Sequence, residues 1–344
     1  MSQWAVILAG GVGSRFWPLS TPRRPKQLLP LVDDDPLLVD AVRRVLPLVC
    51  ADHVLVITSA ALAPAVRTAL PELPRENVLA EPRPAGTGPA LAWAAAEIVR
   101  RGGGGALMLS THADWAIGDA EAFRATLVRA AGAAGRHRGL VTVGIVPSRP
   151  DPGFGYIQPG GDVDGARRVA RFVEKPDRAT AERMVRDGYL WNSGIFAWRA
   201  GDFLDEVRAH APEIAGALPL AEGGEPERFF EAVQPISVDQ GVLERSTQVL
   251  VLPGDFGWDD VGTWAALRRV RRLDVQGNAI SGAAYPVDAR DNVVHAEGDT
   301  VVLYGVSNLV VVTRDGLTLV TTVDRAAHLK ELLAELPAAV RDAP

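Results

Sequence analysis

Apolar runs recur through the first 150 residues at Trp4–Leu8, His53–Thr58, Ala106–Ser110 and Leu140–Val146. Between them lie stretches of helical character: Leu37–Leu46, Ala61–Leu70, Pro89–Arg101 and Asp119–Arg136. Short buried strands separated by helices predict βαβ units and a doubly wound, mostly parallel sheet. Such sheets bind ligands outside the carboxyl ends of their strands. Residues 151–265 are less regular, with strands expected at Gly155–Gln158, Val169–Val173, Ser193–Trp198 and Gln248–Leu252. Helices are expected there over Thr180–Asp187, Ala200–His210 and Val261–Leu273. From Gly277 to Val323 the pattern becomes β-branched runs spaced by Gly, Asp and Asn turns. These predict strands at Asn292–Ala296, Thr300–Tyr304, Leu309–Thr313 and Thr318–Thr322, then a helix over Arg325–Leu336. The change of pattern divides the chain into an α/β domain, 1–274, and a smaller β-rich domain with a terminal helix, 275–344.

The length of 344 residues suits that division, and no second enzyme domain is expected. A net charge of -6, from 36 basic and 42 acidic residues, argues against nucleic acid or a membrane surface as partner. The single cysteine, Cys50, excludes an internal disulfide and fits a reducing compartment. No apolar run approaches the ~20 residues of a membrane span. The chain also opens without a basic leader, so a soluble cytoplasmic protein is expected. Only three of the basic residues are lysine: Lys26, Lys175 and Lys330. Lysine is a compact point charge and arginine a wide fork, so the two are not equivalent where a pocket is tight.

After the first strand comes Leu8-Ala9-Gly10-Gly11-Val12-Gly13-Ser14-Arg15-Phe16-Trp17-Pro18, with Pro25-Lys26 close behind. A glycine loop leaving a buried strand turns backbone N–H groups toward an anion. Arg15 and Lys26 add positive charge from either side, which suits a nucleoside triphosphate. A Walker A loop requires Gly-Lys-Ser/Thr where Gly13-Ser14-Arg15 stands, and a Rossmann fingerprint requires a glycine near Phe16. Both are excluded. The bland alternative is a turn whose glycines serve only tight packing.

Phosphoryl and nucleotidyl transfer alike need positioned cations and carboxylates that hold a divalent metal. Asp114 follows an apolar run and should emerge at a sheet edge. Asp259 and Asp260 lie in Gly257-Trp258-Asp259-Asp260-Val261-Gly262-Thr263-Trp264. Asp260 suits a metal, whereas Asp259 reads as an exposed turn or helix cap. Glu174 and Lys175 end a strand before Pro176, either as ligands for a sugar and its phosphate or as a surface ion pair. Asn192, which enters a strand, carries donor and acceptor groups suited to sugar hydroxyls. The six histidines have no zinc-ligand spacing, and no Gly-x-Ser-x-Gly elbow occurs.

Taken in order, these segments resemble the sugar-1-phosphate nucleotidyltransferases, and most closely their mannose-1-phosphate guanylyltransferase branch. The resemblance spans nearly the whole chain. Its most specific part is Gly10 to Ser20 with Pro25-Lys26-Gln27, followed by Gly153-Phe154-Gly155-Tyr156-Ile157, Phe172–Pro176, Asn192-Ser193-Gly194 and Trp258–Trp264. It implies attack by mannose 1-phosphate on the α-phosphorus of GTP, giving GDP-mannose and pyrophosphate. It further implies Leu8, Ala9, Gly10, Gly11, Gly13, Ser14 and Thr87 at the nucleotide. Arg15 and Lys26 would be the catalytic cations on the triphosphate, with Asp114 and Asp260 on Mg2+. Gly155, Glu174 and Asn192 would hold the sugar and Lys175 its phosphate. The implied shape is a doubly wound core with a left-handed β-helix-like tail, often used for homodimer contacts. Two segments depart from the pattern. His112-Ala113-Asp114-Trp115 carries tryptophan where relatives have histidine, and Ala85-Gly86-Thr87 lacks an arginine and a polar residue of the usual nucleotide loop. Another sugar 1-phosphate or nucleotide, or a catalytically silent ligand sensor, are the alternative readings.

Overall fold

Trp4 to Leu8 are buried on both faces, and the strand Gln3–Leu8 (β1) accordingly lies inside a parallel sheet. The computed structural model describes residues 2–341 apart from Val12 and Arg23. Two compact units emerge: residues 1–10, 41–112 and 119–256, and residues 11–40, 113–118 and 257–344. This division follows contacts rather than chain order.

The first unit is built on a nine-stranded sheet. Beside β1, its strands include Val54–Ser59 (β2), Val78–Glu81 (β3) and Leu107–His112 (β4). They continue, after the short strand Ala116–Ile117 (β5) of the second unit, with Leu140–Ile145 (β6), Tyr156–Val163 (β7), Ala166–Val173 (β8), Leu190–Arg199 (β9) and Val249–Gly254 (β10). The spatial order is β3-β2-β1-β4-β9-β6-β10-β8-β7. β3 to β4 are mutually parallel and β6 pairs parallel with β10, while β9 runs antiparallel to both β4 and β6. The chain moves outward from β1 to β3 and returns on the other side at β4. The carboxyl ends of β1 and β4 therefore flank a topological switch point, with Leu8 opposite His112. Because β9 is reversed, its first residues, including Asn192, lie at that same sheet edge. The helix Thr87–Gly102 buries Ala90 to Ile98 against this sheet and against Phe203 and Leu204 of the helix Ala200–His210.

The second unit holds the strands Trp258–Asp259 (β11), Ala279–Val287 (β12), Val293–Tyr304 (β13), Leu309–Arg314 (β14) and Leu317–Thr322 (β15). β12, β13 and β14 stack in parallel, and β15 closes the sheet antiparallel. Buried asparagines bind successive coils: Asn278 Oδ1 accepts from the N–H and Nδ2 of Asn292, and Asn292 Oδ1 accepts from Leu309 N–H. Phe16, Trp17, Leu19, Leu29 and Leu31 pack with Trp264, Val293, Val310 and Val312 in this unit's core.

Most predicted elements are present within a few residues of their bounds. The runs Asn292–Ala296 and Thr300–Tyr304 join as one strand, β13, whose register shifts opposite Gly282. β3 and β12 were not anticipated. The expected helix Val261–Leu273 is instead a 3-10 turn, Trp264–Ala266, and a short helix, Leu267–Val270. The Asp259 and Asp260 side chains take the N–H groups of Val261 and Gly262, offering the backbone an alternative to helix there.

Candidate active site

In the second unit Lys26 is the hub of the predicted residues. Its side chain is buried, and Nζ donates to Asp114 Oδ2 at 3.1 Å and to the Asp260 carbonyl at 2.7 Å. Gly13 makes room for it. With φ at +68°, a Cβ at Gly13 would stand 2.2 Å from Lys26 Cβ. Ser14 and Arg15 follow in the 3-10 turn Ser14–Phe16, which leaves Arg15 exposed. Gly11 differs from Gly13, because a Cβ there would meet nothing within 4 Å. The packing explanation for the glycines thus holds at Gly13 and fails at Gly11.

Asp260 is half-buried, and burial, then the charge of Asp259, raises its pKa against the pull of Lys26. Gly262 lets this carboxylate fold back, since a Cβ there would lie 2.6 Å from Asp260 Oδ2. Next to it, Val261 is a buried β-branched residue at φ +46°, an arrangement that stores backbone strain. Asp259 corrects the sequence reading: it is buried, accepts Arg269 Nε at 2.7 Å and Nη2 at 3.1 Å, and caps Val261 N–H. Arg269 balances Asp259, and the carboxylate of Asp260 has the Gly262 N–H at 3.2 Å.

In the first unit the edge at the switch point carries Leu8, Ala9 and Gly10. Ala9 is tied to β2 by its N–H to the Ile57 carbonyl and by Thr58 Oγ1 to its own carbonyl. A Cβ at Gly10 would meet only Glu81 Oε2, at 3.9 Å. Glu81 ends β3, and burial pushes its carboxyl up from 4.5 to about 7. Thr87 opens its helix and accepts Val238 N–H on Oγ1. Neither Glu81 nor the segment around Val238 was singled out from the sequence.

The predicted sugar residues come together in this unit. A Cβ at Gly155 would lie 2.7 Å from Glu174 Oε2 and 3.5 Å from Asn192 Cβ, and Asn192 N–H donates to the Gly155 carbonyl at 2.8 Å. Glycine at 155 is what admits the carboxylate. Glu174 and Lys175 form an exposed ion pair at 2.5 Å, with Lys175 at φ +42°. The surface-pair reading and the ligand reading are both compatible with that geometry. The residue the sequence did not disclose is Asp239, whose Oδ1 accepts from Asn192 Nδ2 at 2.7 Å.

Trp115, at the histidine position, is buried and packs edge-on against Trp258 at 5.7 Å, alongside the β5–β11 pairing. Among the described residues no group of three or more His, Cys, Asp or Glu side chains forms a metal cluster. Magnesium takes one or two carboxylates and completes its shell with phosphate oxygens and water. The desolvated Asp260 carboxylate fits that requirement, with Asp114 the second carboxylate beside the same lysine. No helix among the described residues is long and apolar enough to cross a membrane.

Residues 4–277 match the Nucleotidyl transferase family and residues 282–336 the MannoseP isomerase/GMP-like beta-helix domain. The chain belongs to the nucleotidyl transferase family, and its class of activity is nucleotidyl transfer to a sugar 1-phosphate. Among its relatives, the xanthan biosynthesis protein XanB of Xanthomonas campestris is 39% identical over 98% of this chain and 73% of its own length. Mannose-1-phosphate guanylyltransferase ManC of Salmonella typhimurium is 36% identical over 97% of this chain and 73% of its own length. A crystal structure from Thermus thermophilus, described as a mannose-1-phosphate geranyltransferase, superposes with a TM-score of 0.88 at 34% identity. It covers 97% of this chain and 99% of that one, and so establishes the α/β core with its β-helix domain.

Proposed function

We propose that this protein makes GDP-mannose and pyrophosphate from GTP and mannose 1-phosphate. The observation that carries the reading is Lys26, a buried ammonium fixed between Asp114 and Asp260 behind a glycine loop. The guanylyl and mannosyl assignments are supported by the name of the 36%-identical Salmonella relative.

An ionised phosphate oxygen of mannose 1-phosphate attacks the α-phosphorus of GTP in line. A new P–O bond forms, the bond from the α-phosphorus to the bridging oxygen breaks, and pyrophosphate leaves with that electron pair. Leu8, Ala9, Gly10, Gly11, Gly13, Ser14 and Thr87 would line the nucleotide, where the open space at Gly10 and Gly11 allows close approach. Arg15 and Lys26 would offset the triphosphate charge. Gly155, Glu174 and Asn192 would orient the sugar, and Lys175 would hold its phosphate. Asp114 and Asp260 would hold Mg2+, which when bound supplies charge neutralisation on the reacting phosphates. The reading includes a cytosolic setting, compatible with the exposed free thiol of Cys50. It also includes a homodimer, for which the exposed rows Tyr285–Val302 and Val287–Tyr304 on β12 and β13 offer apolar surface.

The test is pyrophosphate release from a matrix of nucleoside triphosphates and sugar 1-phosphates with magnesium. GTP with mannose 1-phosphate should give the highest kcat/KM. A better pair would reassign the substrates, and no turnover with any pair would favour a ligand sensor.

A further inference from the structure

We propose that Asp239 is a positioning residue, which fixes the carboxamide of Asn192 and ties it to the nucleotide segment. The proposal rests on the assignment of Asn192 to the sugar. Asn192 is held at two points: its N–H by the Gly155 carbonyl at 2.8 Å, and its Nδ2 by Asp239 Oδ1 at 2.7 Å. Asp239 Oδ1 accepts from the Nδ2 donor side of the amide, and this pairing sets which way the amide faces. Among the described residues Asn192 Oδ1 then has one long contact, Gly194 N–H at 3.3 Å, and keeps acceptor capacity for a sugar hydroxyl.

Asp239 is fixed from the opposite side. The strap before it runs along the segment that opens the helix Thr87–Gly102. Ile236 N–H donates to the Ala85 carbonyl at 3.0 Å, the Ile236 carbonyl accepts Gly88 N–H at 3.0 Å, and Val238 N–H donates to Thr87 Oγ1 at 2.9 Å. Gly86, at φ +85°, is needed for this contact, because a Cβ there would lie 2.5 Å from the Ile236 carbonyl. Asp239 then opens a π-helical turn, Asp239–Leu243, anchored by buried Val242 and Leu243. Such turns interrupt regular hydrogen bonding and often re-aim a side chain at a functional site. One hydrogen-bonded path therefore runs from Ala85 and Thr87 through Ile236 and Val238 to Asp239 and Asn192. A purely structural role for Asp239 would lower stability without separating one substrate from the other.

The test is steady-state kinetics on the full chain with the substrate pair selected by the matrix. Asp239→Ala should raise KM for the sugar 1-phosphate roughly tenfold to a hundredfold. KM for the nucleotide should stay within about twofold. Asp239→Asn, which keeps an acceptor oxygen, should restore the sugar KM. In a double-mutant cycle, Asp239→Ala with Asn192→Ala should be no worse than Asn192→Ala alone. Should Asp239→Ala misfold, Asp239→Ser removes the same reach and should give the same rise. Additive effects, or a loss shared equally by both substrates, would overturn the proposal. A sugar KM unmoved by Asn192→Ala would instead overturn the sugar-site assignment beneath it.

Discussion

Lys26 Nζ lies 3.1 Å from the carboxylate of Asp114 and 2.7 Å from the main-chain carbonyl of Asp260, so one buried ammonium ties together two segments far apart in the chain. Removing it takes away both contacts and leaves Asp114 without this partner. Lys26→Met should lower kcat/KM at least ~100-fold if Lys26 serves the triphosphate as proposed, because its preorganised charge would be lost. Lys26→Arg should rescue little, since a wide guanidinium cannot reproduce two point contacts in a buried slot. Pyrophosphate release measures both, and wild-type turnover in either variant would refute the role.

Asp260→Asn should lower turnover by orders of magnitude while the thermal unfolding midpoint stays at or above that of the parent. The carboxylate is half-buried and its charge is opposed by Asp259, so a neutral isostere removes the proposed metal ligand without unpairing Arg269. Titrating magnesium into both proteins should show weaker dependence for the variant. Equal turnover at equal magnesium would remove Asp260 from the metal site.

The two glycines of the loop make opposite predictions. Gly13→Ala places a Cβ at φ +68° and 2.2 Å from Lys26 Cβ, so it should cost more than about 2 kcal/mol of stability. Gly11→Ala meets nothing within 4 Å and should leave the melting temperature unchanged or slightly higher. Its effect should appear as a GTP KM raised about tenfold, where a ligand's phosphates would need the space. A reversal of these two outcomes would return the loop to a packing role.

The α/β core was legible because strands buried on both faces leave unbroken apolar runs, as at β1, β2 and β6. Lys26, Asp114 and Asp260 were legible because each sits beside a strong local signal: a proline, a strand end, a pair of tryptophans. β3 was not, being only four residues that end in the charged Glu81. Asp259 was misread because the feature that buries it, Arg269, lies on the far side of a turn the pattern made helical. Asp239 was invisible for a similar reason, its partner Asn192 being 47 residues away in the chain.

Lys175 sits at φ +42° with its ammonium exposed and paired to Glu174. An exposed pair of this kind contributes little to stability, so Lys175→Arg should leave the fold unchanged. It should raise KM for the sugar phosphate several-fold, with GTP KM unaffected, because the fork delivers its charge from a different position. An effect confined to GTP would mean that Lys175 serves the nucleotide.

Glu81 makes stability depend on pH. Burial raises its carboxyl from 4.5 to about 7, so between those values the folded chain keeps a proton that the unfolded chain has released. The folded state then binds more protons, and stability must fall as pH rises through this window. The contribution is fully present below pH 4.5 and lost above about 7, where the partly exposed charge costs at most ~3 kcal/mol. Glu81→Gln has no proton to lose and should be more stable than the parent at pH 8 but equal to it at pH 4.5. Urea midpoints at the two pH values decide the matter. Parallel pH dependence in both proteins would mean that Glu81 ionises freely, and that the edge beside Gly10 is wetter than its burial implies.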